Sequence, residues 1–247
     1  MKEIFVVGNG ASLKGFDWTY LKDKEWVGLT LAYRHWNRNK IYPNHYINID
    51  AVVIKNNIKD IMKLIKEKRC QNYILCNSVL EYCPEIKEFY NPNGESPVKF
   101  IQDLYGMSGG LSPFRYLISR CSGSVAVMWA YMLKPDSINI LGCDCKYTEA
   151  IPECIQLPDG TLKIIEPVKN NPNYFIDDYQ RIGDIYNVPN TQSVHLVSWF
   201  DTRNIILLYN ILHQKEIKIF NYNSVKTLED FFETLDLEKL ENYDSHN

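Results

Sequence analysis

His195 is the side chain in this sequence best suited to take a proton from an attacking hydroxyl, because histidine alone titrates near neutrality without strong perturbation. A solvated or helix-capping role is the plainer alternative for it. It follows a segment dense in polar and aromatic groups: Tyr174, Asp177, Asp178, Tyr179, Arg181, Asp184 and Tyr186. Tyrosine offers a ring face and a hydroxyl, which suits a nucleobase or a sugar. Asp177-Asp178 reads either as a metal pair or as two solvated acids. Near the start of the chain, Gly8-Asn9-Gly10-Ala11-Ser12 follows an apolar run. Strand, glycine-bracketed turn and Ser-started helix would offer free N–H groups and a positive dipole end to an anion, usually a phosphate. Leu13 stands where a dinucleotide fingerprint needs its third glycine, and no Gly-Lys-Ser/Thr ending makes a P-loop. The ordinary alternative is a turn whose glycines serve only to reach positive φ.

A second anion site is expected where Arg120 and Ser122 precede a small-residue helix that opens with Gly123 and Ser124. Arg120 could grip a carboxylate or phosphate there, or form a surface ion pair. In open α/β sheets ligands sit at the carboxyl ends of strands. The polar residues expected at those ends are Asn9, Ser12, Thr30, Asn48, Asp50 and Asp144.

The elements that must position these groups alternate along the chain. Strands are expected over 3–8, 25–30, 45–50, 72–76, 137–141 and 216–220. Helices are expected over 12–22, capped by Ser12, and over 56–68, 122–133 and 201–213. Ile58, Ile61, Met62 and Ile65 make the apolar stripe of the second. Such alternation predicts an α/β fold, a single mostly parallel sheet flanked by helices. From 145 to 192 the pattern breaks into Pro, Asn, Asp and Tyr, with a hairpin expected between 153–157 and 161–165 across Pro158-Asp159-Gly160. An interruption of that length reads as an embedded lid within one domain spanning 1–247. Residues 226–247 form an acidic tail, read as a terminal helix over 228–241 packed by Phe231, Phe232, Leu235 and Leu240.

Composition narrows the class. Twenty-seven basic against thirty acidic residues, a net charge of −3, give no field of the kind nucleic-acid binders use. Seven cysteines without a CxxC pair indicate reduced thiols and a cytoplasmic setting. Cys143, Cys145 and Cys154 have no histidine at zinc-site spacing, so no metal ligands are assigned. Lys2-Glu3 interrupt any signal peptide, and no apolar run is long enough to span a bilayer.

Three blocks carry a resemblance. Val6-Val7-Gly8-Asn9-Gly10-Ala11-Ser12-Leu13-Lys14 resembles the Gly-Asn-Gly-Pro-Ser-Leu motif of bacterial family 42 sialyltransferases. The same motif marks the related DUF115 group, which includes motility accessory factors and MptE-like pterin pyrophosphokinases. Arg120 through Ala126, followed by Ile138 through Asp144, is similar to both families' Ser/Gly-started helix and Gly-x-Asp strand end. His195, with 205–221 beyond it, resembles the sialyltransferase stretch from its catalytic histidine into the last helix and strand. Together the blocks cover about half of the chain.

The resemblance implies a Rossmann-like sheet of the GT-A-variant sialyltransferase type. It implies an inverting glycosyltransferase that moves a sialic-acid-like (nonulosonic) sugar from a CMP donor to a glycan or lipo-oligosaccharide acceptor, with no metal or other cofactor. Gly8, Asn9, Gly10 and Ser12 would hold the nucleotide phosphate, with Thr30, Asp50, Gly123, Ser124 and Asp144 completing the donor site. His195 would be the general base, Arg120 would face donor or acceptor, and Tyr174 and Tyr179 would donate to the departing phosphate. Association with the inner membrane surface and assembly into homo-oligomers are further traits of such relatives. Thr30 and Asp50 stand where the sialyltransferases carry asparagines, Lys146 replaces a phosphate-binding tyrosine beside Tyr147, and an ungapped alignment from Tyr174 would put Asp177 in the base position. The DUF115 alternative is an ATP- and Mg2+-dependent pyrophosphokinase, and a third is a non-catalytic nucleotide- or glycan-binding module.

Overall fold

The computed structural model describes residues 1–92, 95–105, 112–116, 120–145, 147, 150–189, 194–222, 228–229 and 232–235, with residues 194–195 and 234–235 described by their backbone alone. The elements run β1 (Glu3–Val7), β2 (Glu25–Leu29), α1 (Tyr33–Asn39), β3 (His45–Asn48), α2 (Ala51–Lys66), β4 (Asn72–Leu75), α3 (Val79–Tyr82) and β5 (Val98–Phe100). They continue with α4 (Ser122–Met132), β6 (Ser137–Leu141), β7 (Cys154–Gln156), β8 (Leu162–Ile164), β9 (Ile185–Tyr186), α5 (Val194–Leu212), β10 (Lys218–Tyr222) and β11 (Glu233–Leu235).

Eight strands form one sheet in the order β11-β10-β6-β1-β2-β3-β4-β5, and every pairing in it is parallel. Ile4-Phe5-Val6-Val7 is buried on both faces, as a central parallel strand must be when helices cover both sides. The chain steps outward from β1 to β5, then returns to the other side of β1 as β6. The strand order therefore reverses between β1 and β6, the place where such sheets open a crevice for ligands.

One face of the sheet packs an aromatic core that includes Trp26, Trp36, Tyr46 and Tyr73. The other packs α4 and Trp199 of α5. Residues 123–131 of α4 are all buried, because that helix lies between the sheet and α5. Residues 145–192 carry a separate antiparallel sheet, β7-β8-β9, on a small core of Ile151, Leu162, Ile164 and Tyr186. The expected hairpin is there: Asp159 accepts hydrogen bonds from Thr161, and Gly160 takes φ +85.

α1, α3 and β5 are not among the expected elements, β10 lies two residues beyond the expected 216–220, and four further differences have a clear physical setting. The helix expected over 12–22 is two short 3-10 turns, Ala11–Leu13 and Trp18–Leu21, broken where Gly15 takes φ +86. α2 begins at Ala51 because Asp50 caps it through the N–H groups of Val52 and Val53. α5 begins seven residues before the expected 201. Within the tail expected to be helical, Glu233–Leu235 pairs with β10 instead, since the open edge of β10 offers backbone partners. Phe231 and Leu240 lie outside the described residues.

Candidate functional site

A cleft of about 450 Å3 opens at the carboxyl ends of β1, β2, β3 and β6, beside the start of α4. Gly8, Asn9, Gly10, Thr30, Asp50, Arg120, Gly123, Asp144, Tyr174 and Tyr179 all line it.

The Gly-Asn-Gly turn is built differently from the phosphate cradle that its sequence suggests. The Gly8 amide donates to the Leu141 carbonyl at 2.7 Å and the Gly10 amide to that of Gly142 at 2.8 Å. The Ser12 amide donates to Asp144 Oδ2 at 3.0 Å, and its hydroxyl donates to Asp144 Oδ1. Three of the amides assigned to an anion are thus committed to β6 and the residues after it. Nor do these glycines serve positive φ, for Gly10 sits at φ −67. They serve space. A β-carbon on Gly8 would stand 2.3 Å from the Gly142 carbonyl oxygen, and one on Gly10 2.2 Å from the Asp144 carboxyl carbon. Asp144 is therefore the anchor of the turn, and Ser12 its partner rather than a helix cap.

At the end of β2 stands Thr30, a β-branched residue at φ +44, which costs on the order of 1–2 kcal/mol. Its hydroxyl belongs to a closed triangle. Asn9 Nδ2 donates to Thr30 Oγ1 at 2.6 Å and to the Tyr179 hydroxyl at 2.8 Å, and the Thr30 and Tyr179 hydroxyls bond to each other. The Leu31 amide also donates to the Tyr179 hydroxyl, at 3.3 Å. Tyr179 is 4% exposed, and its hydroxyl ties Asn9, Thr30 and the Leu31 amide together beside the cleft that it lines. Tyr174 stacks on it at 3.9 Å between centroids. Burial pushes the Tyr179 phenol up to about 12 and raises those of Tyr174 and Tyr147, so all three keep their protons at neutral pH.

Asp50 and Ser124 are likewise engaged. Asp50 caps α2 and accepts from Asn187 Nδ2 at 3.1 Å, so it clasps residue 187 against the helix. Ser124 is fully buried and does not line the cleft; its hydroxyl bonds to the Cys121 carbonyl and to Ser198 of α5. Gly123 lets Trp199 close over the start of α4, where a β-carbon would lie 2.8 Å from the indole. Arg120 stands exposed at the mouth, its guanidinium 4.7 Å from the Tyr105 ring centre.

His195 occupies the first turn of α5, one turn before Trp199, which lines the cleft. Its side chain lies outside the described residues, as does Lys146. Asp177 accepts from the Asn171 amide and does not line the cleft, while Asp178 pairs with Arg38 and Arg181. The two acids thus face different partners. Among the described residues no group of three His, Cys, Asp or Glu side chains could hold a metal ion. No described helix is long and apolar enough to cross a membrane.

Several cleft residues carry no signal in the sequence pattern: Asn173, Gln180, Asn187 and Trp199. Arg34, beneath the cleft, is another. Its guanidinium makes a bidentate pair with Asp184 at 2.5 and 2.9 Å and donates to the Tyr179 carbonyl at 2.6 Å. Burial pulls its pKa down, and the Asp184 pair more than offsets that. Only the apolar neighbours of Arg34 in α1 could have hinted that it points inward.

No protein-family model matches the chain, and no curated protein matches it. Two solved structures follow a similar chain path. One is the sialyltransferase CstII from Campylobacter jejuni in complex with a substrate analogue, cytidine-5'-monophosphate: 14% identity, TM-score 0.48, covering 95% of this chain and 85% of that chain. The other is the sialyltransferase CST-II in complex with trisaccharide acceptor and CMP: 14% identity, TM-score 0.49, covering 94% of this chain and 85% of that chain.

Proposed function

We propose that the cleft binds a CMP-activated, sialic-acid-like sugar and that the protein is an inverting glycosyltransferase delivering it to a glycan or lipo-oligosaccharide hydroxyl. One observation carries this reading. The Gly8–Asn9–Gly10 turn, the Arg120–Gly123 segment and Cys143-Asp144 are far apart in the chain and belong to the blocks that resemble family 42 sialyltransferases, and they line one cleft at the β1/β6 crossover.

In this reading the nucleotide lies along the ends of β1 and β2, with the sugar toward Arg120 and the start of α5. The acceptor oxygen forms a bond to the anomeric carbon as the bond from that carbon to the CMP phosphate oxygen breaks. His195 takes the acceptor proton, and CMP departs carrying the bonding electron pair. Arg120, fully charged at neutral pH, and the Tyr147 hydroxyl are the groups best placed to meet the negative charge that grows on the phosphate. Such placed donors act strongly in a cleft that excludes water. No metal is assigned a role.

The test is a thermal-shift series with CMP, CMP-sialic acid and ATP, each with and without Mg2+, followed by transfer assays. CMP should raise the melting temperature without metal, and His195→Ala should abolish transfer while CMP still binds. Indifference to every cytidine nucleotide refutes the proposal, and stabilisation by ATP with Mg2+ alone would favour a pyrophosphokinase.

A further inference from the structure

The Asn9–Thr30–Tyr179 triangle has only one consistent arrangement of protons. Its three edges, Asn9 to Thr30, Asn9 to Tyr179 and Thr30 to Tyr179, need three hydrogens. Were the Asn9 amide turned to place Oδ1 inward, the two hydroxyls would supply only two. Nδ2 must therefore face in, and it provides both of its hydrogens. Tyr179 then accepts from Asn9 Nδ2 and from the Leu31 amide, which fills its two acceptor positions. Its own hydrogen goes to Thr30 Oγ1, the remaining partner. Thr30 Oγ1 now accepts from both Asn9 and Tyr179, so the Thr30 hydrogen is the one left over. Asn9 Oδ1, facing away from the triangle, is buried and has no hydrogen-bond partner among the described residues.

We infer that Tyr179 is a positioning residue that makes Thr30 an obligate donor toward the bound ligand. The ligand group that meets Thr30 must therefore accept a hydrogen bond, as a hydroxyl oxygen does. Thr30 lies at the end of the second strand, where doubly wound nucleotide-binding sheets usually meet the ribose. The ligand group is accordingly a ribose hydroxyl of the nucleotide. Tyr179 touches no ligand in this account. It acts by filling the lone pair of Thr30 that Asn9 leaves open. This assignment rests on the nucleotide reading of the cleft.

Calorimetric titration of CMP and of its two ribose-deoxy analogues tests it. The wild-type protein should prefer CMP to one deoxy analogue by about tenfold, the scale of one well-made hydrogen-bond pair in a cleft. Tyr179→Phe frees the Thr30 hydroxyl to rotate, so CMP should weaken while that deoxy analogue does not, and the preference should fall to about twofold or less. Thr30→Val should abolish the same preference in a protein that retains Tyr179, which covers the case of a Tyr179→Phe chain that fails to fold. A merely structural role for Tyr179 would weaken CMP and its analogues alike. CMP binding with the full preference retained in Tyr179→Phe or in Thr30→Val overturns the inference alone. No binding of CMP by the wild-type protein overturns the nucleotide reading and this assignment together.

Discussion

Gly10 and Asp144 stand so close that a β-carbon on residue 10 would lie 2.2 Å from the Asp144 carboxyl carbon. The carboxylate cannot retreat, because it is 8% exposed and holds both the amide and the hydroxyl of Ser12. Gly10→Ala should therefore destabilise the protein by about 1–3 kcal/mol, the usual penalty for overpacking. It should also displace Asn9 and weaken nucleotide binding. Urea unfolding gives the first quantity and CMP titration the second.

Ser124 divides a ligand role from a structural one. Its buried hydroxyl joins α4 to α5 through Ser198, at 2.7 Å, and turns back on the Cys121 carbonyl. Ser124→Ala should lower stability by about 1–2 kcal/mol, since Ser198 loses a buried partner. CMP affinity should stay at the wild-type value. A large loss of CMP affinity with unchanged stability would restore Ser124 to the binding site.

Arg34 and Asp184 form a pair whose side chains are 4% and 12% exposed. Removing the arginine leaves a nearly buried carboxylate without its counter-ion, and the Tyr179 carbonyl loses its donor as well. Arg34→Ala should cost about 3–5 kcal/mol. Arg34→Lys should rescue little, because one ammonium group cannot replace the planar fork. Since Arg34 ties residues 179–184 to α1, limited proteolysis within 145–192 should accelerate in both variants.

Acid should weaken the fold through His35. Burial, reinforced by Arg38, holds this imidazole down to about 4, and it packs 4.6 Å from Trp18 and 5.1 Å from Phe175 between ring centres. The folded pKa is below the unfolded value of about 6.5, so between those values the unfolded chain binds more protons. Stability should rise with pH across this window: full above 6.5 and progressively lost on acidification toward 4. Burial lowers His45 too, with the same sign. His35→Phe, which keeps the aromatic packing, should flatten the slope of unfolding free energy against pH over this range. An unchanged slope would assign the effect elsewhere.

Much of the scaffold was legible from local pattern. β1, β2, β4, β6 and α4 fall where runs of apolar residues and turn signals put them, and so does the hairpin around Pro158-Asp159-Gly160. These features depend on neighbours within a few positions, which a one-dimensional reading can weigh. The helix expected over 12–22 failed because Gly15 and the burial of Phe16 and Trp18 favour two tight turns over one continuous helix. The strand at 233–235 depends on an edge supplied by β10.

The sequence alone determined that polar residues would gather at the ends of parallel strands, because strand polarity and crossover connections follow from the alternation of elements. Only the tertiary structure decided which of those residues are free to act. Ser12 meets Asp144 across 132 residues, and Asn9 meets Tyr179 across 170. Partners so distant decide whether a carboxylate anchors a turn or binds a ligand, and which way a hydroxyl hydrogen points. A hydrogen-bonding group buried beside a partner is no longer available to a substrate. That is why the Gly8–Ser12 turn, read along the chain as a row of free amides, is in the folded protein a brace that holds Asn9 and Thr30 at the cleft.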